Sequence, residues 1–182
     1  MANPSQLRAL MVTLALSGAL GMGSAHAEDS LYDLQPCPDS LAVEGGKKVD
    51  KTWDLTLSPL TYHWHNSTEH KPVKLVAIDR HVEGGRFCGL ALFSNSFGQP
   101  SAYVYVGQQW NNILGNPKLF TKVSAGFIYG YRGKHKDDIG FNSAGIAPAI
   151  IPSLGYAFSP KESAQAFMLG TAGITFAYVR SF

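Results

Sequence analysis

The chain has 182 residues, 15 basic and 13 acidic, and 45% of them are hydrophobic. A formal net charge of +2 supplies no broad positive field, which argues against nucleic acid as a partner and leaves only local charge clusters to interpret. Past the N-terminal segment no apolar run reaches the length of a membrane-spanning helix, so a mature chain that enters a membrane must do so as a closed barrel.

Residues 1–27 have the form of a cleaved export signal. Arg8 supplies the positive charge, Ala9 to Gly23 is an apolar stretch too short to span a bilayer comfortably, and Ala25-His26-Ala27 is an A-x-A cleavage site. An uncleaved anchor is the competing interpretation. Cleavage leaves Glu28 at the new N-terminus and 14 basic against 13 acidic residues.

Residues 28–54 read as a periplasmic lead-in without a core of its own, because Gln35-Pro36-Cys37-Pro38-Asp39 and Glu44-Gly45-Gly46-Lys47-Lys48 break any long helix. Cys37 and Cys88 form an even pair in an oxidising compartment, which permits a disulfide. Cys88 lies in an apolar strand where it would serve equally well as a small hydrophobe.

From Leu55 onward turn-like clusters recur at Asn66 to Pro72, Glu83-Gly84-Gly85, Gly98-Gln99-Pro100, Asn111 to Pro117, Arg132 to Gly140, Pro160-Lys161-Glu162 and Gly170 to Gly173. They divide residues 55–182 into eight segments of roughly ten residues, the length a tilted membrane strand requires. In the fifth segment Leu119, Val123, Phe127, Tyr129 and Tyr131 share one face, opposite Ser124, Gly126 and Gly130. In the last, Ile174, Phe176, Tyr178 and Phe182 oppose Gly173, Thr175, Ala177 and Ser181, with Arg180 placed to snorkel toward headgroups.

The pattern predicts an all-β fold, an eight-stranded antiparallel transmembrane β-barrel of the bacterial outer membrane, with bulky residues toward lipid and small ones inside. Tyr62, Trp64, Tyr103, Trp110 and Tyr131 are candidates for the aromatic girdles. A soluble lipocalin-like barrel or a β-sandwich is the alternative. Pro59, Pro148 and Pro152 fall inside strand-like segments and predict interrupted pairing, either as bulges or strand ends or as gaps that admit acyl chains sideways.

With strands alternating from a periplasmic start, the ends of strands one, three and five share the outer mouth. His63, Asn95-Ser96 and the basic run Arg132-Gly133-Lys134-His135-Lys136 thus meet on one rim. A serine hydroxyl becomes a competent nucleophile when a histidine takes its proton, which suits acyl transfer or ester cleavage. Asn95 would orient the histidine or donate to an oxyanion, and Arg132 and Lys134 would meet phosphates. Each piece also has a plainer account, as an interfacial side chain, turn chemistry or a solvated hairpin tip.

Thr61-Tyr62-His63, Phe93-Ser94-Asn95-Ser96 and the stretch Ala147-Pro148-Ala149-Ile150-Ile151-Pro152-Ser153-Leu154-Gly155-Tyr156 resemble motifs of the outer-membrane lipid A palmitoyltransferase family. The resemblance covers roughly residues 55–182. It implies transfer of a palmitoyl chain from a phospholipid to lipid A by a monomeric barrel whose partners are membrane lipids, with no metal and no cofactor. It assigns the family histidine to His63 and the family serine to Ser96, and it puts Asn95 where the family has an aspartate. An amide cannot act as a base, so a hydrogen-bonding role is what remains for Asn95. His65, in Trp64-His65, competes with His63 for the histidine role.

Under this resemblance the lumen becomes a slot that measures acyl length, with Gly89, Ala91, Gly126 and Gly130 small enough to leave room. A lipid A deacylase or phospholipase would use a similar pair, with His65-Asn66-Ser67 as a weaker candidate, and a non-enzymatic adhesin or binding barrel would treat the rim as surface.

Overall fold

Alternation of outward aliphatics with inward polar and aromatic residues produces strands, and the computed structural model, which describes Cys37, residues 52–65 and residues 67–182, contains eight of them. They are β1 (Trp53–His63), β2 (Leu75–His81), β3 (Arg86–Ser94), β4 (Pro100–Asn111), β5 (Leu119–Tyr129), β6 (Ile146–Ser159), β7 (Glu162–Met168) and β8 (Gly173–Ser181). Each pairs antiparallel with its sequence neighbour, and β1 pairs with β8, so the sheet closes into a barrel. Reciprocal backbone bonds between Trp53 and Phe182, at 3.0 and 2.9 Å, fasten the seam at one end. The first strand begins at Trp53, two residues ahead of the Leu55 expected from the sequence. The export signal, and the lead-in apart from Cys37 and residues 52–54, lie outside the described residues.

The turns fall where the glycine, proline and asparagine clusters predict. Connections 82–85, 112–118 and 160–161 lie at one end of the barrel, here the short-turn end, together with the ends of β1 and β8 that form the seam. Connections 64–74, 95–99, 130–145 and 169–172 lie at the other, the loop end.

The outer wall is apolar, with Val104 61% exposed, Ile150 72% and Phe127 63%. A band of this size in water would be an aggregation surface, whereas in lipid it is the required wall, and closure satisfies the backbone. The barrel is therefore membrane-spanning rather than a soluble lipocalin-like one.

The interior departs from the expectation of a small-residue slot. Phe87, Tyr103, Tyr105, Phe120 and Ile128 are all buried, and Tyr103 stacks on Tyr105 with ring centroids 4.5 Å apart. Tyr103 is therefore a core residue and not part of a girdle. Tyr131 departs as well: Gly130, at φ 141°, breaks the alternation after β5 and turns the Tyr131 ring to pack against the core cluster. A β-carbon at Gly89 would strike Asp79 and the Tyr105 ring, at Gly126 the Val104 carbonyl and at Gly130 the Ser101 side chain. Those glycines make room for neighbours already present, and of the four small residues only Ala91 lines open space.

The lumen at the short-turn end is closed by charge. Lys122 Nζ lies 3.2 Å from Asp54 Oδ2 and 3.7 Å from Asp79 Oδ2. His81 Nε2 meets Asp54 Oδ2 at 2.9 Å, Ser181 donates to Asp54 Oδ1 at 2.6 Å, and Tyr105 donates to Asp79. Asp54, Asp79 and His81 bring three ligand-type atoms within 4.8 Å of one another, but the Lys122 ammonium already serves as their cation, so the cluster is an ion-pair plug.

The Cys37 to Cys88 disulfide, left open by the sequence, is present, with Cα atoms 5.4 Å apart. Cys88 pairs with Arg80 on β2 and Val106 on β4, on the outward face, and is buried because Cys37 is bonded over it. Arg80 beside it is 2% exposed, with its guanidinium 5.2 Å from the centroid of the Trp53 ring.

Replacing Lys122 leaves two buried carboxylates without their cation, which costs about 3–5 kcal/mol when one partner of a buried pair is removed. Lys122→Ala is expected to lower barrel stability by that order in urea titrations in detergent. The paired substitution Lys122→Met with Asp54→Asn recovers part of it.

Candidate functional site

The position of His63 depends on one irregularity in β1. Leu57 pairs with Tyr178 but Leu60 pairs with Phe176, so β1 carries one extra residue at Ser58 and Pro59. Such a bulge inverts alternation. Before it, Asp54, Thr56 and Ser58 are buried, and after it Leu60 and Tyr62 are exposed. Thr61 and His63 accordingly take the lumen side, opposite Thr175 and Gly173. Hydroxyls repair the ladder: Ser58 Oγ donates to the Phe176 carbonyl at 2.7 Å and Thr175 Oγ1 to the Leu60 carbonyl at 3.0 Å.

His63 Nε2 and Ser96 Oγ are 2.7 Å apart. The expected pair is thus brought together from the ends of β1 and the β3 to β4 loop. His65 is exposed, and Ser67 accepts the Glu69 amide at 3.2 Å in a local turn, while Asn66 lies outside the described residues. The His70 ring rests against His63 at 4.3 Å, a neighbour that nothing in the sequence singles out.

Asn95 takes a different position from the one anticipated. Asn95 is 1% exposed, and its Oδ1 accepts the amides of Phe97 at 3.0 Å and Gln99 at 2.9 Å. Nδ2 donates to Gln99 Oε1 at 3.3 Å. The amide therefore shapes the loop that presents Ser96, and its hydrogen bonds go to that loop rather than to His63. The Lys71 amide donates to the Ser96 carbonyl at 2.7 Å, fixing the same loop from β2's side.

The basic residues lie at the same end but serve as braces. Lys134 Nζ is 3.0 Å from Glu69 Oε1, and that hydrogen bond and charge hold the Glu69 carboxyl below its ordinary range. The Arg132 guanidinium sits 5.3 Å from the Tyr129 ring centroid and donates to its hydroxyl at 3.2 Å. Gln99 clasps the Arg132 backbone, donating to its carbonyl at 3.0 Å and accepting its amide at 3.2 Å. Phe97 stacks on His135 with centroids 3.8 Å apart. These contacts bind the serine loop to the long β5 to β6 connection.

Beneath the loops lies a cavity of about 340 Å³, bordered by Ser96, Phe93, Tyr103, Tyr131, Ile151 and Leu169 among others. A smaller space of about 60 Å³ continues below it, down to Phe87, Tyr105, Asp79 and Lys122. Leu75, Ala91, Tyr103, Ile151, Leu169 and Thr175 line both. The upper cavity also touches Pro148 and Ile150, which are exposed on the outer wall. It reaches the outside there because β6 pairs with β7 only from Ser153 to Ser159, leaving Ile146 to Pro152 without a β7 partner. Pro148 and Pro152 keep their register with Phe127 and Val123 of β5, so the donor each proline lacks falls on the β7 edge. A second break lies above Ser58, the last β1 residue paired to β2.

Asn95→Ala would leave two loop amides unpaired in a dry site, at a cost of about 1–3 kcal/mol. Asn95→Asp keeps the acceptor for both amides but loses the Nδ2 donor to Gln99. Denaturant titration is expected to show a loss for both variants, since the aspartate buries a carboxylate with an oxygen against Gln99 Oε1.

No protein-family model matches the sequence, and no curated protein does. Among solved structures, the chain is similar to one described as "De novo design of transmembrane beta-barrels", at 15% identity and a TM-score of 0.49, over 75% of this chain and 98% of that one.

Proposed function

We propose that the protein is an outer-membrane acyltransferase that moves a palmitoyl chain from a phospholipid to lipid A, acting as a monomer after export and removal of residues 1–27. The observation that carries this is the 2.7 Å contact between His63 Nε2 and Ser96 Oγ, at the rim of an apolar cavity that opens through the wall toward lipid.

With its proton on Nδ1, His63 accepts the Ser96 hydroxyl proton at Nε2 as Oγ attacks the ester carbonyl of the phospholipid. The lysophospholipid leaves with that proton, and Ser96 holds the acyl group as an ester. A lipid A hydroxyl then gives its proton to Nε2 and attacks the ester, forming the new acyl bond and releasing Ser96 Oγ, which takes that proton back from Nε2. Asn95 holds the serine loop, and His70 supports the His63 ring plane. Arg132, held at the headgroup level over Tyr129, and Lys134 are the candidates to meet phosphates, Lys134 after exchange of its exposed partner Glu69.

The lumen serves as the acyl slot, with its floor formed by the Tyr103 and Tyr105 rings, Phe87 and the ion-pair plug in place of the glycines. Each buried methylene contributes only about 0.8 kcal/mol, so selection against longer chains has to be steric.

Lipid A from a host lacking its own palmitoyltransferase, compared by mass spectrometry with and without the protein, tests the reaction. One added acyl chain is expected, with none in Ser96→Ala and about a 10²- to 10⁴-fold slower reaction in His63→Ala. A mass loss would instead identify a deacylase, and no change with a folded barrel would remove the enzymatic assignment. Ala91→Met is expected to shorten the transferred chain and Tyr103→Ala to lengthen it; an unchanged chain in both would remove the measuring slot.

A further inference from the structure

We propose that Phe141 is a lipid-facing wedge that guides an acyl chain of the glycerophospholipid donor into the cavity between β6 and β7, an inference that rests on the acyl transfer proposed above. Phe141 is 92% exposed and yet borders the cavity, beside Pro148, Ile150 and Leu169. A large aromatic in the open at a cavity mouth offers an apolar surface to whatever enters, and here the adjoining wall is the lipid-facing one.

The backbone adds a second, independent observation. Phe141 has φ 58°, a left-handed conformation that is unfavourable for a bulky side chain and persists only where the surroundings impose it. Those surroundings are visible on both sides. The Asn142 amide donates to the carbonyls of Tyr131 at 2.8 Å and Lys136 at 2.7 Å, pinning the position that follows. Next comes a tight reversal in which Ser143 and Ile146 exchange backbone bonds at 2.8 and 2.9 Å. Before Phe141, Ile139 packs against the core, while a β-carbon at Gly140 would meet nothing within 4 Å. The loop is anchored inward at Ile139 and Asn142, and the residue between those anchors that projects is a phenylalanine where glycine would sit without strain.

Leu114 offers a contrast. It is 94% exposed with φ 55°, but it lies in a turn at the short-turn end and borders neither cavity. The combination of strain, exposure and a cavity open to the lipid face occurs at Phe141.

The wedge separates function from stability. Phe141→Gly removes the ring and the strain together, so the thermal midpoint is expected to stay level or rise. The KM for a phosphatidylethanolamine donor is expected to rise about tenfold, equivalent to about 1.4 kcal/mol of lost donor contact, with kcat nearly unchanged, and Phe141→Leu should recover most of the loss. A fall in thermal midpoint in the glycine variant, or an unchanged KM, would overturn the proposal. A second readout does not depend on turnover: benzoylphenylalanine placed at position 141 in phosphatidylethanolamine vesicles should, on irradiation, form an adduct on acyl-chain carbons. An adduct confined to the headgroup, or none, sinks the wedge. Absence of transfer by the wild-type protein would count against the acyltransferase, while an acyl-chain adduct would still place this ring in lipid.

Discussion

Everything in this barrel depends on the requirement that backbone hydrogen bonds be satisfied inside a membrane, where water is not available to replace them. Eight antiparallel ladders, joined at Trp53 and Phe182, meet it around the ring. Two departures from that rule fall at prolines. At Pro59 the ladder to β8 skips a residue and serine and threonine hydroxyls take over the unpaired carbonyls. Along upper β6 Pro148 and Pro152 face the edge that has no β7 partner, so two of the donors on that edge are missing from the start.

The same departures place the His63 and Ser96 pair. A regular β1 would send His63 out toward lipid with Leu55 and Leu57, and the bulge brings it inward to Ser96. The unpaired stretch of β6 lets the cavity below Ser96 communicate with the outer wall. An eight-stranded lumen is narrow enough for side chains to fill, and at the short-turn end they do so with Lys122 held between carboxylates. The molecule is therefore closed at one end by charge and open at the other beside its histidine and serine.

Much of this was legible in the chain. Period-two alternation and regular turn residues are strong signals, and they located all eight strands to within a few residues; the topology followed from strand count and then placed His63 and Ser96 at one end. Facing was less legible. Gly130 reverses Tyr131, and an interior tyrosine such as Tyr103 has the same composition signature as a girdle tyrosine. Glycine was ambiguous for a related reason, since a missing β-carbon signals close approach without saying whether a ligand or a neighbour fills the space. Gly89 and Gly126 are filled by Tyr105 and its neighbours. The role of Asn95 depended on loop geometry that spacing alone does not encode, and Phe141 carried no motif at all.

The disulfide gives the fold a sense of place in the cell. Cys88 faces away from the lumen, so the bond to Cys37 fastens that residue to the outside wall and leaves the bore clear. A link that closes 51 residues of chain withdraws a large share of the freedom of the unfolded state. It can persist only where thiols are kept oxidised. The tether therefore suits a barrel of the outer membrane, and one assembled in a reducing compartment would lack its outer strap.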